Sequence, residues 1–135
     1  MKRMILIVDD EETNLRLLKR VLVDEGYSVV AAASGPEALE SSAIVAPDLV
    51  LTDIRMPEMD GIELCKRLRN EQRLTMPVIF MTALAQVPTA TELADLGALC
   101  ITKPYEIPPL LEIISRLLTP VPVRPALEPA SQPAT

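Results

Sequence analysis

The apolar residues of this chain fall in short unbroken runs, each closed by a residue that can do chemistry. Met4-Ile5-Leu6-Ile7-Val8 leads into Asp9-Asp10, and Leu49-Val50-Leu51-Thr52 leads into Asp53. Val78-Ile79-Phe80-Met81 leads into Thr82, and Leu99-Cys100-Ile101-Thr102 leads into Lys103. Runs this short and continuous suit strands buried on both faces rather than strands with one wet face. The intervening segments carry helical spacing. Over residues 13–25, Leu15, Leu18 and Leu22 share one face, with Leu17 and Val21 beside it, and Gly26 is placed to cap the C-terminus. Residues 27–32 read as a second strand. Ser34-Gly35-Pro36-Glu37 has the spacing of a capping box and opens a short second helix. Pro47-Asp48 turns the chain into a third strand at Leu49–Asp53, and Gly61 precedes a helix over residues 62–70 with Leu64 and Leu68 inward. Residues 77–82 form the fourth strand. Thr89-Ala90-Thr91-Glu92 is a second capping box, for a helix that ends at Gly97. Residues 99–102 form the fifth strand. Pro108-Pro109 suit the first turn of a last helix, striped by Leu110, Leu111, Ile114, Leu117 and Leu118.

Strand and helix alternate five times, which predicts an α/β doubly wound parallel sheet with helices on both faces. Residues 1–119 make one domain. Residues 120–135 differ: five of the 13 prolines fall there, among Ala, Ser and Thr, with no apolar period. That composition predicts a flexible or polyproline-like tail, or a linker toward a further domain.

Composition acts mainly by exclusion. The chain has 135 residues, a net charge of −6 and 2% aromatics. The acidic balance disfavours non-specific nucleic-acid binding, and base-stacking platforms are essentially absent. The apolar runs are far too short to span a membrane, and no charged-then-apolar leader opens the chain, so the expected location is the cytoplasm. Cys65 and Cys100 share no metal-ligand spacing and read as buried free thiols of a reducing compartment. The chain has no histidine, which excludes Ser-His and Cys-His hydrolysis, histidine-ligated metals and a phosphohistidine of its own.

Parallel strands would bring Asp9, Asp10, Asp53, Thr82 and Lys103 into one crevice at their C-terminal ends, where open α/β sheets place ligands. Three converging carboxylates cannot all stay ionised and unpaired. A hard divalent cation such as Mg2+ resolves the conflict, with Asp10 and Asp53 as the natural direct ligands, Asp9 acting through water, and a backbone carbonyl just after Asp53, such as that of Arg55, able to complete the shell. A phosphoryl group then fits, with Lys103 and Thr82 on its oxygens and the free Asp53 oxygen as nucleophile. Taken singly, each residue has a plainer role: a cap, a first-turn acid, a satisfied hydroxyl, a solvated loop charge. Together, in this order and each at a strand end, they do not reduce to those roles.

Over residues 2–118 the chain resembles a response-regulator receiver domain, the phosphoacceptor module of two-component signalling. The matching pieces are Ile7-Val8-Asp9-Asp10-Glu11, Asp53 with Met56-Pro57-Glu58-Met59-Asp60-Gly61, Met81-Thr82-Ala83, and Thr102-Lys103-Pro104-Tyr105. The resemblance implies a (βα)5 flavodoxin-like fold with strand order 2-1-3-4-5. It implies that Asp53 accepts a phosphoryl group from a histidine kinase or histidine phosphotransfer protein. It also implies Mg2+ on Asp10, Asp53 and the Arg55 carbonyl with Asp9 in support, Thr82 and Lys103 acting on the phosphate, and a cis Lys103-Pro104 bond. Such a domain phosphorylates and dephosphorylates itself but turns over no metabolite. Its output would be a downstream protein effector rather than nucleic acid or membrane. A homodimer through the fourth helix, fifth strand and fifth helix stays open, since that face carries only sparse charges (Glu92, Asp95, Glu112, Arg116).

The departures matter as much. Cys100 stands where the family usually has a switch aromatic, and Tyr105 is not a positional substitute. Output is therefore expected through backbone movement around residues 82–86 and the fourth helix. Arg55 and Leu84 occupy the two positions that tune phosphate lifetime in this family. Leu84 cannot orient an attacking water, which predicts slow self-dephosphorylation. Two other readings compete: a phosphorylation-independent docking module, and the receiver fragment of a larger multidomain protein. An aspartate-nucleophile phosphatase is disfavoured, because Arg55 stands where that class wants a second acid.

Overall fold

Five strands and five helices alternate along the chain in a computed structural model that describes residues 2–119. They are β1 (Met4–Val8), α1 (Glu12–Asp24), β2 (Ser28–Ala32), α2 (Gly35–Ile44), β3 (Leu49–Asp53), α3 (Gly61–Asn70), β4 (Val78–Ala83), α4 (Ala90–Leu96), β5 (Ala98–Lys103) and α5 (Ile107–Leu118), with a 3-10 turn at Leu84–Gln86. All strand pairs are parallel, in the order β2-β1-β3-β4-β5. This is the doubly wound (βα)5 fold that the alternation predicts. The proline-rich residues 120–135 lie outside the described residues.

Burial explains the apolar runs. Every residue of β3 is buried, as are five of the six in β4. Alternate residues of each strand enter one of two cores. Leu6, Val8, Val50, Val78 and Phe80 pack with α2, α3 and partly buried Leu93 and Leu96 of α4. Ile5, Ile7, Leu49, Leu51, Ile79 and Met81 pack with Leu15, Leu18 and Leu22 of α1 and Leu110, Ile114 and Leu118 of α5. Each such buried aliphatic side chain contributes roughly 1.5–3 kcal/mol over an exposed one.

Local signals set the helix ends. Thr89 and Glu92 form a complete capping box, and Gly97 closes α4 in the left-handed region at φ 64°. At α2 the box is displaced: Ser34 accepts from the Glu37 amide, but the Glu37 carboxylate accepts from Ala33 rather than from Ser34. The buried stripe of α1 is Leu15, Leu18 and Leu22, as its spacing predicts, and Leu17 beside it lies 55% exposed. Two expectations need correction. Cys65 is buried but Cys100 only partly so, since β5 is an edge strand. Element ends shift by a residue or so, as at α3, which begins at Gly61 with Asp60 as its cap.

Candidate functional site

Parallel pairing fixes where the strand ends lie. Asp53 stands opposite Met81, Thr82 opposite Thr102, and Ala83 opposite Lys103. The Asp9 amide donates to the Ala32 carbonyl at 3.2 Å, extending the β1–β2 ladder by one residue. Asp9, Asp10 and Asp53 consequently meet, with a carboxylate oxygen of each within 4.8 Å of the others. Asp9 is buried, Asp53 is 9% exposed, and Asp10 faces solvent.

The three carboxylates are not equivalent. One oxygen of Asp9 accepts from the Glu11 amide at 2.9 Å, the other from Asn14 Nδ2 at 3.3 Å. Asp53 accepts from Lys103 Nζ at 3.0 Å through Oδ2. Asp10 and the second oxygen of Asp53 are thus the oxygens best free for a ligand. Burial pushes the Asp9 carboxyl above its usual range; the Glu11 amide opposes this and the Asp53 charge adds to it. Burial works to lower the Lys103 ammonium, but its hydrogen bond to Asp53 and the charges of Asp53 and Asp9 outweigh that, and the net shift is upward. One ammonium against three carboxylates leaves an anionic cluster. Its donor set is hard oxygen alone, which suits a hard divalent cation.

A cleft of about 680 Å³ opens beside the cluster, lined by Asp10, Ile54, Arg55, Met56, Pro57, Asp60 and Gln86. One wall is the β3–α3 loop. The Gly61 amide donates to the Ile54 carbonyl at 2.8 Å, folding the loop back on itself. Asp60 caps α3 by accepting from the Glu63 amide at 2.8 Å. The Met59 amide donates to the Pro57 carbonyl at 2.7 Å, holding Glu58 at φ 71°. The Lys103-Pro104 bond is cis, as the family resemblance implies.

The structure therefore gathers Asp9, Asp10, Asp53 and Lys103, with Thr82 buried on β4 and Arg55 on the cleft wall. Leu84 is 77% exposed on the turn after β4. Cys100 packs partly against the α2–α4 core, whereas Tyr105 packs against the α1–α5 core, so the tyrosine does not take the cysteine's place. Sequence reasoning missed Asn14, the place of Gln86 in the cleft wall and the capping role of Asp60. The Asp60-Gly61-Ile62-Glu63 spacing carried the last of these; nothing local marked the other two.

Residues 5–115 match the model of the response regulator receiver domain family. The chain is 44% identical over 115 residues to the regulatory protein AtoC of Escherichia coli, covering 84% of this chain and 25% of that protein. It is 34% identical over 120 residues to the polar-differentiation response regulator DivK of Brucella ovis, covering 87% and 98% respectively. Its fold matches the chemotaxis response regulator CheY4 of Vibrio cholerae with a TM-score of 0.78 and 30% identity, over 87% of this chain and all of that one. A CheY-like receiver domain protein from Methanospirillum hungatei matches with a TM-score of 0.79 and 34% identity, over 86% of this chain and 93% of that one. The chain belongs to the response-regulator receiver family of two-component systems. Such domains work with histidine kinases and effectors. The chain spans a quarter of the length of AtoC and 34% of that of the PhoP regulator of Bacillus subtilis. Among the described residues no helix is long and apolar enough to cross a membrane.

Proposed function

We propose that Asp53 takes a phosphoryl group from a phosphohistidine on a partner kinase or phosphotransfer protein, in a Mg2+-dependent reaction in the cytoplasm. The observation that carries this is the asymmetry at Asp53. One oxygen is held by Lys103 at 3.0 Å, while the carboxylate lies within 4.8 Å of Asp9 and Asp10 beside an open cleft. The free oxygen attacks phosphorus, the P–N bond of the donor breaks, and the electron pair leaves on the imidazole nitrogen, which takes up a proton. The imidazole lies outside these 135 residues, which hold no histidine. Asp10, Asp53 and the Arg55 carbonyl would hold Mg2+, with Asp9 in support. Bound Mg2+ supplies neutralisation of the carboxylates and of the incoming phosphoryl charge. Lys103 trades its carboxylate partner for a phosphoryl oxygen, and Thr82 donates to another. The altered charge is read out by a protein effector through residues 82–86 and α4.

The test is intact mass after incubation with Mg2+ and phosphoramidate. One alkali-labile phosphate per chain is expected. A folded protein that gains none would favour a docking module that works unmodified, the reading to which Cys100 at the switch position points.

Magnesium should stabilise the fold in a pH-dependent way. The raised Asp9 carboxyl means that the folded protein holds this proton more tightly than the unfolded chain does. Without metal, the contribution of Asp9 to stability therefore falls as pH rises from the unfolded carboxyl value, about 3.9, through the folded one. A cation replaces the proton and reverses the penalty. At 10- to 100-fold excess over Kd, Mg2+ should add roughly 1–3 kcal/mol at pH 7 and almost nothing below about pH 4. Thermal unfolding with and without Mg2+ across this range checks it; equal gains at both ends would contradict the site.

Leu84 lies beyond Thr82 without a group to orient water. Leu84→Glu should speed loss of the Asp53 phosphate by at least about tenfold, short of the roughly hundredfold at which a well-positioned general base begins, because the position is exposed. Decay of the phosphorylated mass reads this directly, and an unchanged rate would remove Leu84 from the account of phosphate lifetime.

A further inference from the structure

Helix α4 is held at its C-terminal end by a residue of another helix. It has seven residues, none of them buried, and only Leu93 and Leu96 pack partly against the core. Its last turn has no basic residue of its own. Arg69, in the last turn of α3, supplies that charge. Its Nε donates to the Leu96 carbonyl at 2.9 Å and its Nη2 to the Gly97 carbonyl at 3.2 Å. Its Nη1 donates to the Leu74 carbonyl at 2.9 Å, in the loop that leads to β4. Among the described residues no carboxylate lies within 4.0 Å of this guanidinium. Its charge is therefore committed to three carbonyls, two of them at the negative end of α4. The planar fork reaches three directions at once, which a lysine cannot do.

We propose that Arg69 is a positioning residue that pins the C-terminal end of α4 in its unphosphorylated placement and so sets the poise of the switch. The poise rests on the reading above, in which α4 moves when Asp53 is phosphorylated. Any displacement of α4 away from α3 breaks the bonds to Leu96 and Gly97 together, and those bonds oppose the movement. Removing them lowers the cost of the moved state, and linkage then requires whatever favours that state to bind more tightly.

The test compares wild type with Arg69→Met, which keeps the apolar stem, and Arg69→Lys, which keeps the charge and is the variant safer for folding. Amide exchange in the unphosphorylated protein reads the pin. Residues 93–97 should exchange at least about tenfold faster in Arg69→Met, while β1 and β3 stay within about twofold of wild type. Titration with beryllium fluoride in Mg2+, an analogue of the phosphoryl group, reads the poise. The apparent Kd should tighten by about threefold or more in Arg69→Met, with Arg69→Lys between the two in both readouts. A purely structural cap would loosen α4 and leave binding unchanged or weaker, and that result overturns the poise. Exchange at residues 93–97 that matches wild type overturns the pin, as does a lysine variant indistinguishable from wild type. If beryllium fluoride fails to bind wild type, the phosphoacceptor reading fails and the poise with it, while the exchange result still decides the pin.

Discussion

Asp53→Asn is expected to leave the protein folded and to abolish phosphate gain from phosphoramidate. Three carboxylates meet in the crevice, and the structure separates their roles. Asp9 is buried with both oxygens already accepting hydrogen bonds, from Glu11 and Asn14. Asp10 is exposed and, among the described residues, makes no ion pair. Asp53 alone of the three is paired with Lys103. Its amide replacement lacks the anionic oxygen that would form the acyl phosphate.

The same change should cost little stability. At an effective dielectric near 20, the Asp53–Lys103 pair at 3.0 Å is worth on the order of 5 kcal/mol, before the desolvation that offsets it. Against it stand repulsions from Asp9 and Asp10 on the order of 3–4 kcal/mol each at the 4.8 Å limit, the second screened by solvent around Asp10. The two sides nearly cancel, and an amide oxygen still accepts from Lys103. Urea unfolding without metal should place the variant within about 1 kcal/mol of wild type. Loss of phosphate gain could then not be put down to unfolding. Labelling equal to wild type would move the nucleophile elsewhere, with exposed Asp10 the first to examine.

How much of this was legible in the sequence follows from the range of the interaction concerned. A parallel strand buried on both faces must be apolar throughout, so Leu49–Asp53 and Met4–Val8 announce themselves and their polar ends mark one edge of the sheet. Caps are equally local: Ser34 and Thr89 declare their helices three residues ahead of the glutamates that answer them. Width of burial is not local. The period of α1 places Leu17 near the apolar face, but only the docking of α1 on the sheet shows that it stays exposed. Cys100 is similar, since its exposure depends on β5 lying at an edge. Contacts between distant segments leave no spacing to read. Gln86 in the cleft wall and Arg69 on the end of α4 are visible only once the chain is folded, and the turn from β1 into α1 that brings Asn14 onto Asp9, five residues away, has no marked spacing either.

Gly61 closes the motif after Asp53 in the sequence, but the reason for a glycine there is visible only in three dimensions, and Gly61→Ala should be among the costliest single-atom additions in the domain. The loop after β3 folds so tightly that a Cβ on Gly61 would run into the Asp53 carbonyl oxygen, with the Asp53 carbonyl carbon and Ile54 Cα each at 3.1 Å. All three are backbone atoms of the segment that carries the nucleophile, so no side chain can turn aside. The bond from the Gly61 amide to the Ile54 carbonyl holds the approach in place. Relief requires moving either the start of α3, with its Asp60 cap, or Asp53 itself. We expect a loss of about 3 kcal/mol or more, at the upper end for overpacking, and weaker Mg2+ binding in whatever folds. Gly35→Ala is the control. The nearest atoms to a Cβ there all belong to the Met59 side chain, with the sulfur at 2.7 Å and Cβ and Cγ at 2.9 Å, so Met59 must shift at its own Cβ as well as turn its flexible end, but no backbone atom of the Asp53 segment is among them. It should cost less than Gly61→Ala and leave Mg2+ binding nearer to wild type. Urea midpoints at constant m, with Mg2+ titrations on both variants, decide the matter. If Gly61→Ala proves no more damaging than Gly35→Ala, the loop is not held against Asp53 as tightly as its geometry implies, and the claim that it positions the nucleophile falls.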